Sequence, residues 1–93
     1  MFRLLALAAA LLTACAAAPV QEMSDARQAI QAARQAGAAN LSPQALTEAQ
    51  GLMERAEKQL ELGEYAKARE SALSAKQRAA EAREDALRHR EGN

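Results

Sequence analysis

From Tyr65 onward, small apolar residues return at intervals that alternate between three and four: Tyr65, Ala68, Ala72, Ala75, Ala79, Ala82 and Ala86. That alternation, held over about three heptads, is the period of a helix face that packs on other helices. A strand would alternate every second residue, and no segment of the chain does so. The stripe is almost all alanine, so helices that pack on it approach its backbone closely. The spacing predicts a helix from about Glu64 to Arg90. Ala66, Leu73, Ala80 and Leu87 form a second line beside the first, each seven residues after the last.

Two further helices precede it. The first is predicted from about Ser24 to Ala36, with Ser24 as N-cap and Asp25 favouring the positive end of the helix dipole. Its apolar face is Met23, Ala26, Ile30, Ala33 and Gly37, and Gly37 is its stop. After the connection Ala38-Ala39-Asn40-Leu41, Ser42-Pro43 reads as an N-cap followed by proline at the first helical position, where its missing N–H costs nothing. The second helix is predicted over Pro43 to Leu62, with the face Leu46, Ala49, Met53, Ala56, Leu60 and Gly63. Gly51 inside it reads as a tolerated surface glycine. Glu54 with Lys58 and Glu84 with Arg88 are favourable pairs four apart.

Short connections make successive helices antiparallel. The expected fold is all-α: an antiparallel three-helix bundle, preceded by a signal-peptide helix. By rise per residue the third helix reaches ~40 Å against ~30 Å for the second. Its end is therefore expected to project, leaving Ala82, Ala86 and Leu87 exposed as a partner-contact site. A frayed, solvated end is the plainer expectation for the same residues.

The chain begins differently. After Met1-Phe2-Arg3 comes an unbroken apolar run, Leu4 to Leu12. That is about half of the roughly 20 residues a membrane-spanning helix needs, and it has the length of a signal-peptide apolar region. Leu12-Thr13-Ala14-Cys15 follows, and Cys15 is the only cysteine, so it has no internal disulfide partner. These residues resemble the lipobox of bacterial lipoproteins. The resemblance implies that Leu12, Thr13 and Ala14 guide a signal peptidase to cut before Cys15. It implies that the Cys15 thiol carries a diacylglyceryl group and its new amine a fatty acyl chain such as palmitate. Ala16 after that cysteine, in place of aspartate, implies the periplasmic face of the outer membrane. Cleavage after Ala16 or Ala18 as an ordinary signal peptide, or a buried cytosolic cysteine, are the alternatives. The expected organisation is a signal peptide over 1–14, a lipidated cysteine and tether over 15–22, and an alanine-rich helical domain over 23–93.

Leu62-Gly63-Glu64-Tyr65-Ala66-Lys67-Ala68 resembles the G-x-Y-x-x-A turn within a tetratricopeptide repeat, where glycine closes one helix and the aromatic seeds the packing of the next. Only one such hairpin fits, so no repeat array is expected. Taken with the lipobox, the Ala-Arg-Gln-Ala-Gly-Ala run and the Ser-Pro entry to the second helix, the chain resembles small bacterial envelope lipoproteins of the domain-of-unknown-function 4398 family. That resemblance implies an envelope location and supplies no catalytic residue.

Composition narrows the function classes. Twelve basic and twelve acidic side chains balance, which argues against a nucleic-acid partner, since such a partner demands an excess of basic charge. His89 is the only histidine, which leaves no histidine metal site and no Ser-His pair. No Gly-rich phosphate loop occurs. The expectation is a protein that is not an enzyme, with no metal and no cofactor beyond the covalent lipid. A domain of this size buries only ~60% of its unfolded surface and gains from a protein partner or self-association. The preferred reading is a lipid-anchored periplasmic interaction module. The alternative is a structural, self-associating lipoprotein of the alanine-zipper type. Because the chain ends Arg-Glu-Gly-Asn rather than in lysine, no covalent link to peptidoglycan is expected.

Overall fold

A computed structural model of the chain describes residues 17–92. The signal segment, with Leu12, Thr13, Ala14 and Cys15, lies outside the described residues. Among the described residues all regular structure is helical, and four helices pack together. They are α1 (Val20–Gln35), the single turn α2 (Ala38–Leu41), α3 (Pro43–Glu61) and α4 (Tyr65–Glu91).

α4 is the centre of the structure. α1 and α3 each pack extensively on it and only sparingly on each other. Its contact face is the alanine stripe: Ala68, Ala72, Ala75, Ala79, Ala82 and Ala86 are all fully buried. The larger core side chains come from the two flanking helices, Met23 and Ile30 from α1 and Leu46 and Met53 from α3. Methyl groups on α4 thus receive longer side chains from both sides. Residues that touch across the helices set their directions. The Ser71 hydroxyl donates to Gln59 Oε1 at 2.6 Å and Arg78 pairs with Glu48, so α3 runs antiparallel to α4. Arg69 lies 3.6 Å from Glu22, and Arg90 Nη1 lies 3.5 Å from the Ala36 carbonyl, so α1 runs parallel to α4.

Glycine ends both flanking helices. Gly63 has φ 76°, and the Gly63 N–H reaches the Leu60 carbonyl at 3.0 Å while the Glu64 N–H reaches Gln59 at 2.8 Å. That pair of hydrogen bonds is the Schellman closure, which satisfies two of the last carbonyls of α3. Gly37, at φ 93°, ends α1 in the same left-handed conformation. Gly51 faces open space, as a surface glycine should.

Four expectations need correction. α1 starts at Val20, not near Ser24, with Pro19 in the capping position and its carbonyl accepting from Met23 N–H at 3.1 Å. Pro19 and Met23 are both fully buried, and this burial extends the helix upstream into the expected tether. Residues 38–41 form a helical turn, not an open connection, because the Leu41 and Ser42 N–H groups bond back to Gly37 and Ala38. Tyr65 stays 39% exposed at the start of α4, so it does not seed the core. The end of α4 does not leave Ala82 and Ala86 uncovered. Both are fully buried and Leu87 is packed against the core, which also holds Ala36, Ala38 and partly Leu41. The compact turn α2 fills the space beside the last turns of α4, which the length arithmetic treated as empty.

The packing makes a three-way prediction for thermal melts followed by circular dichroism. Ala75→Glu places a carboxylate in a site with no polar partner and abolishes the cooperative transition. Gly63→Ala forces a side chain into the left-handed region and lowers stability by about 1–2 kcal/mol. Gly51→Ala, with nothing near the new methyl, raises stability by up to ~1 kcal/mol. A cooperative melt retained by Ala75→Glu would contradict the seam.

Candidate interaction surface

The residues that sequence reasoning proposed for partner contact do not form an exposed site. Ala82 and Ala86 are interior, and Leu87 is half-buried. What surrounds them on the α3 side is polar. Ser42, at the capping position of α3, makes no capping bond to the backbone of its own helix. Its hydroxyl instead faces Asp85 of α4 and is the chief influence holding the Asp85 carboxyl below its ordinary value, with His89 and Arg88 adding to it. His89 Nδ1 lies 2.8 Å from the Asp85 carbonyl oxygen, and since a carbonyl only accepts, Nδ1 carries the proton. The same nitrogen lies 3.5 Å from the Asp85 carboxylate, and Arg88 lies 3.4 Å from it. Arg88 thus turns to Asp85 rather than to Glu84, and Glu54 and Lys58 do not close into an ion pair. His89 is exposed, as expected.

About two turns earlier on α4, Arg78 bridges Glu48 of α3 and Glu81 of its own helix. The Arg78 hydrogen bond is the main cause of the lowered Glu48 carboxyl, and the two carboxylates push the guanidinium up. Ser71 to Gln59 completes a row of cross-links along the α3–α4 edge. Ser71, Arg78 and Asp85 recur every seven residues, a signal present in the sequence that apolar periodicity passes over. On the other side of the molecule, α1 and α3 diverge over a shallow groove. Ile30 and Met53 form its floor, and Arg27, Arg34, Glu54 and Glu57 its walls, with Arg27 and Glu57 3.8 Å apart.

None of these places gathers reactive chemistry. Among the described residues there is no group of three or more His, Cys, Asp or Glu disposed to hold a metal ion. No helix among them is long and apolar enough to cross a membrane. Exposed apolar surface is the more informative feature. Val20, Leu62 and Tyr65 are exposed at the start of α1, the end of α3 and the start of α4, which the helix directions bring to one end of the molecule. Leu73 is exposed midway along α4.

Comparison with known proteins gives one match. The family described as domain of unknown function (DUF4398) matches residues 21–92, nearly all of the described chain. No curated protein and no solved structure matches it.

The two lowered carboxyls predict an acid limb to stability. A group whose value falls on folding stabilises the fold fully above its unfolded value, and that contribution is lost as pH falls through the folded one. Denaturation midpoints are expected to stay level from neutrality down to about pH 5 and to fall below it. Glu48→Gln and Asp85→Asn should each flatten that fall slightly, since both groups are exposed and screened. Urea titrations across pH 3–7 measure it; an acid limb unchanged in both variants would assign it to other carboxylates.

Proposed function

The chain belongs to the domain of unknown function (DUF4398) family, and from that premise we propose that it is a lipid-anchored, non-enzymatic interaction module of the bacterial cell envelope. The observation that carries the reading is Leu12-Thr13-Ala14-Cys15 at the end of a short apolar run. With Cys15 acylated, two chains hold the protein to a bilayer, each buried methylene contributing about 0.8 kcal/mol. The site of action is the periplasmic face of the outer membrane.

The fold accords with that placement. Helical order starts at Val20, and the residues between Cys15 and Pro19 span at most about 3.3–3.6 Å each. The anchor therefore holds the Val20 end of the molecule near the lipid headgroups. Val20, Leu62 and Tyr65, exposed at that end, are suited to an interface where apolar side chains meet water. We read the architecture as an up-down-up three-helix bundle with α2 as part of its first connection. The α3–α4 turn keeps the glycine closure of a tetratricopeptide-like hairpin, and Tyr65 departs from it by remaining exposed. An alanine zipper between chains fits less well, because the alanine stripe is already buried within one chain.

Cys15→Ala should move the protein from the membrane to the soluble fraction, or leave it unprocessed. Mass spectrometry of the native protein should show an acylated cysteine at its N-terminus. An unmodified sulfur, or a different N-terminal residue, refutes the anchor.

A further inference from the structure

We propose that the outward face of α4 is a self-pairing surface, and that its occupant is a second copy of this chain lying parallel and in register. The proposal concerns α4 alone and stands independently of the lipid anchor.

The apolar line on this face is Ala66, Leu73, Ala80 and Leu87. Leu73 is 49% exposed, Ala66 and Ala80 are exposed, and Leu87 is half-buried. The line is distinct from the buried stripe, and its seven-residue spacing is that of a helix pair. Three residues after each member stands a base: Arg69, Lys76, Arg83 and Arg90. Four residues after each stands an acid or an amide: Glu70, Gln77, Glu84 and Glu91. At about 100° per residue, positions three and four along straddle the line, about 60° to one side and 40° to the other. The face therefore has an apolar middle, a basic edge and an acidic edge.

That arrangement selects both the partner and its direction. Two identical helices related by an axis along their length bring opposite edges together, so Arg83 of each copy meets Glu84 of the other, and Arg69 meets Glu70. An antiparallel pair brings like edges together, Arg69 against Arg83 and Glu70 against Glu84. Opposite charges flanking an apolar seam are the means by which paired helices choose orientation. Within one copy these charges do not serve each other, because sequence neighbours on a helix do not face one another. Arg83 and Glu84 are exposed and make no ion pair among the described residues. Arg69 also lies near Glu22, Arg90 Nη1 near the Ala36 carbonyl, and Leu87 packs on the core, so the stretch Leu73–Glu84 carries most of the pairing.

The test uses the full chain in neutral detergent, with its mass measured by sedimentation equilibrium under detergent density matching. A dimer is expected. Leu73→Asp should sediment as a monomer that still melts cooperatively, since the residue lies outside the core. Arg83→Glu should raise the dimer dissociation constant about tenfold by setting acid against acid. Arg83→Glu with Glu84→Arg should restore it, because exchanging the edges preserves their complementarity. A monomer throughout the micromolar range, or a dimer indifferent to Leu73→Asp, overturns the proposal. So does tighter association in Arg83→Glu, the result an antiparallel pair would give, or failure of the double variant to recover.

Discussion

The structure depends on one helix face that carries methyl groups and nothing larger. On α4, six alanines from Ala68 to Ala86 are fully buried, and this lets two long helices lie close to the same backbone from different sides. A leucine at any of these positions would push one neighbour away; overpacking of that kind typically costs 1–3 kcal/mol. The complementary bulk is supplied by Met23, Ile30, Leu46 and Met53, all on the flanking helices. Asymmetry of this kind fixes which helix is central. α1 and α3 present longer side chains inward and therefore meet α4 well but each other poorly, which leaves the groove over Ile30 and Met53.

A core of methyls gives modest apolar gain per residue, at about 0.8 kcal/mol per buried carbon. Alignment of the helices then benefits from polar contacts along the edges. Ser71 with Gln59, Arg78 with Glu48 and Asp85 with Ser42 meet across the α3–α4 edge, the first partner of each standing seven residues after the last along α4, just outside the alanine stripe. Each is a modest contribution: the Arg78–Glu48 pair is open to solvent, whereas Ser71 and Ser42 are buried. Together they hold the register, which alanine faces specify weakly because one methyl resembles the next. Ser42 illustrates the trade: its hydroxyl leaves the backbone of α3 uncapped and lies on the side of Asp85, whose carboxyl it helps to hold below its ordinary value.

What the sequence made legible follows from what apolar periodicity records. Most of the faces of α1, α3 and α4 were readable, because their buried positions repeat at helical spacing and no strand pattern competes; Tyr65 and Gly63 lie outside the core, and buried Ala45 and Ser71 lie off the stripes. Both glycine stops were readable for the same reason: Gly37 and Gly63 adopt positive φ where the stripes end. The misses occur where geometry rather than period decides. Ser24 is a good cap by type, but burial of Pro19 and Met23 starts the helix a turn earlier. Leu41 lies three residues after Ala38 and four before Ala45, so the spacing that reveals α2 was present, but one turn is too short to stand out. Once α2 is in place, Ala82 and Ala86 are covered and the projected contact site disappears. The Leu12-Thr13-Ala14-Cys15 motif is legible in the sequence and lies outside the described residues.

Apolar side chains reach solvent at one end of the molecule and along the back of α4. Two such surfaces differ in kind. The end that carries Val20, Leu62 and Tyr65 is apolar and adjoins the segment leading to Cys15, whereas the back of α4 is a narrow apolar line edged by opposite charges. A membrane surface asks for the first, having no use for residue-level charge order. A second helix asks for the second, because only a partner with matching periodicity can bring its acidic edge beside this basic one. The two occupancies are geometrically compatible. A parallel pair keeps both Val20 ends on one side, so two copies held to one bilayer would meet already aligned, with the entropic cost of orientation reduced before the α4 faces touch.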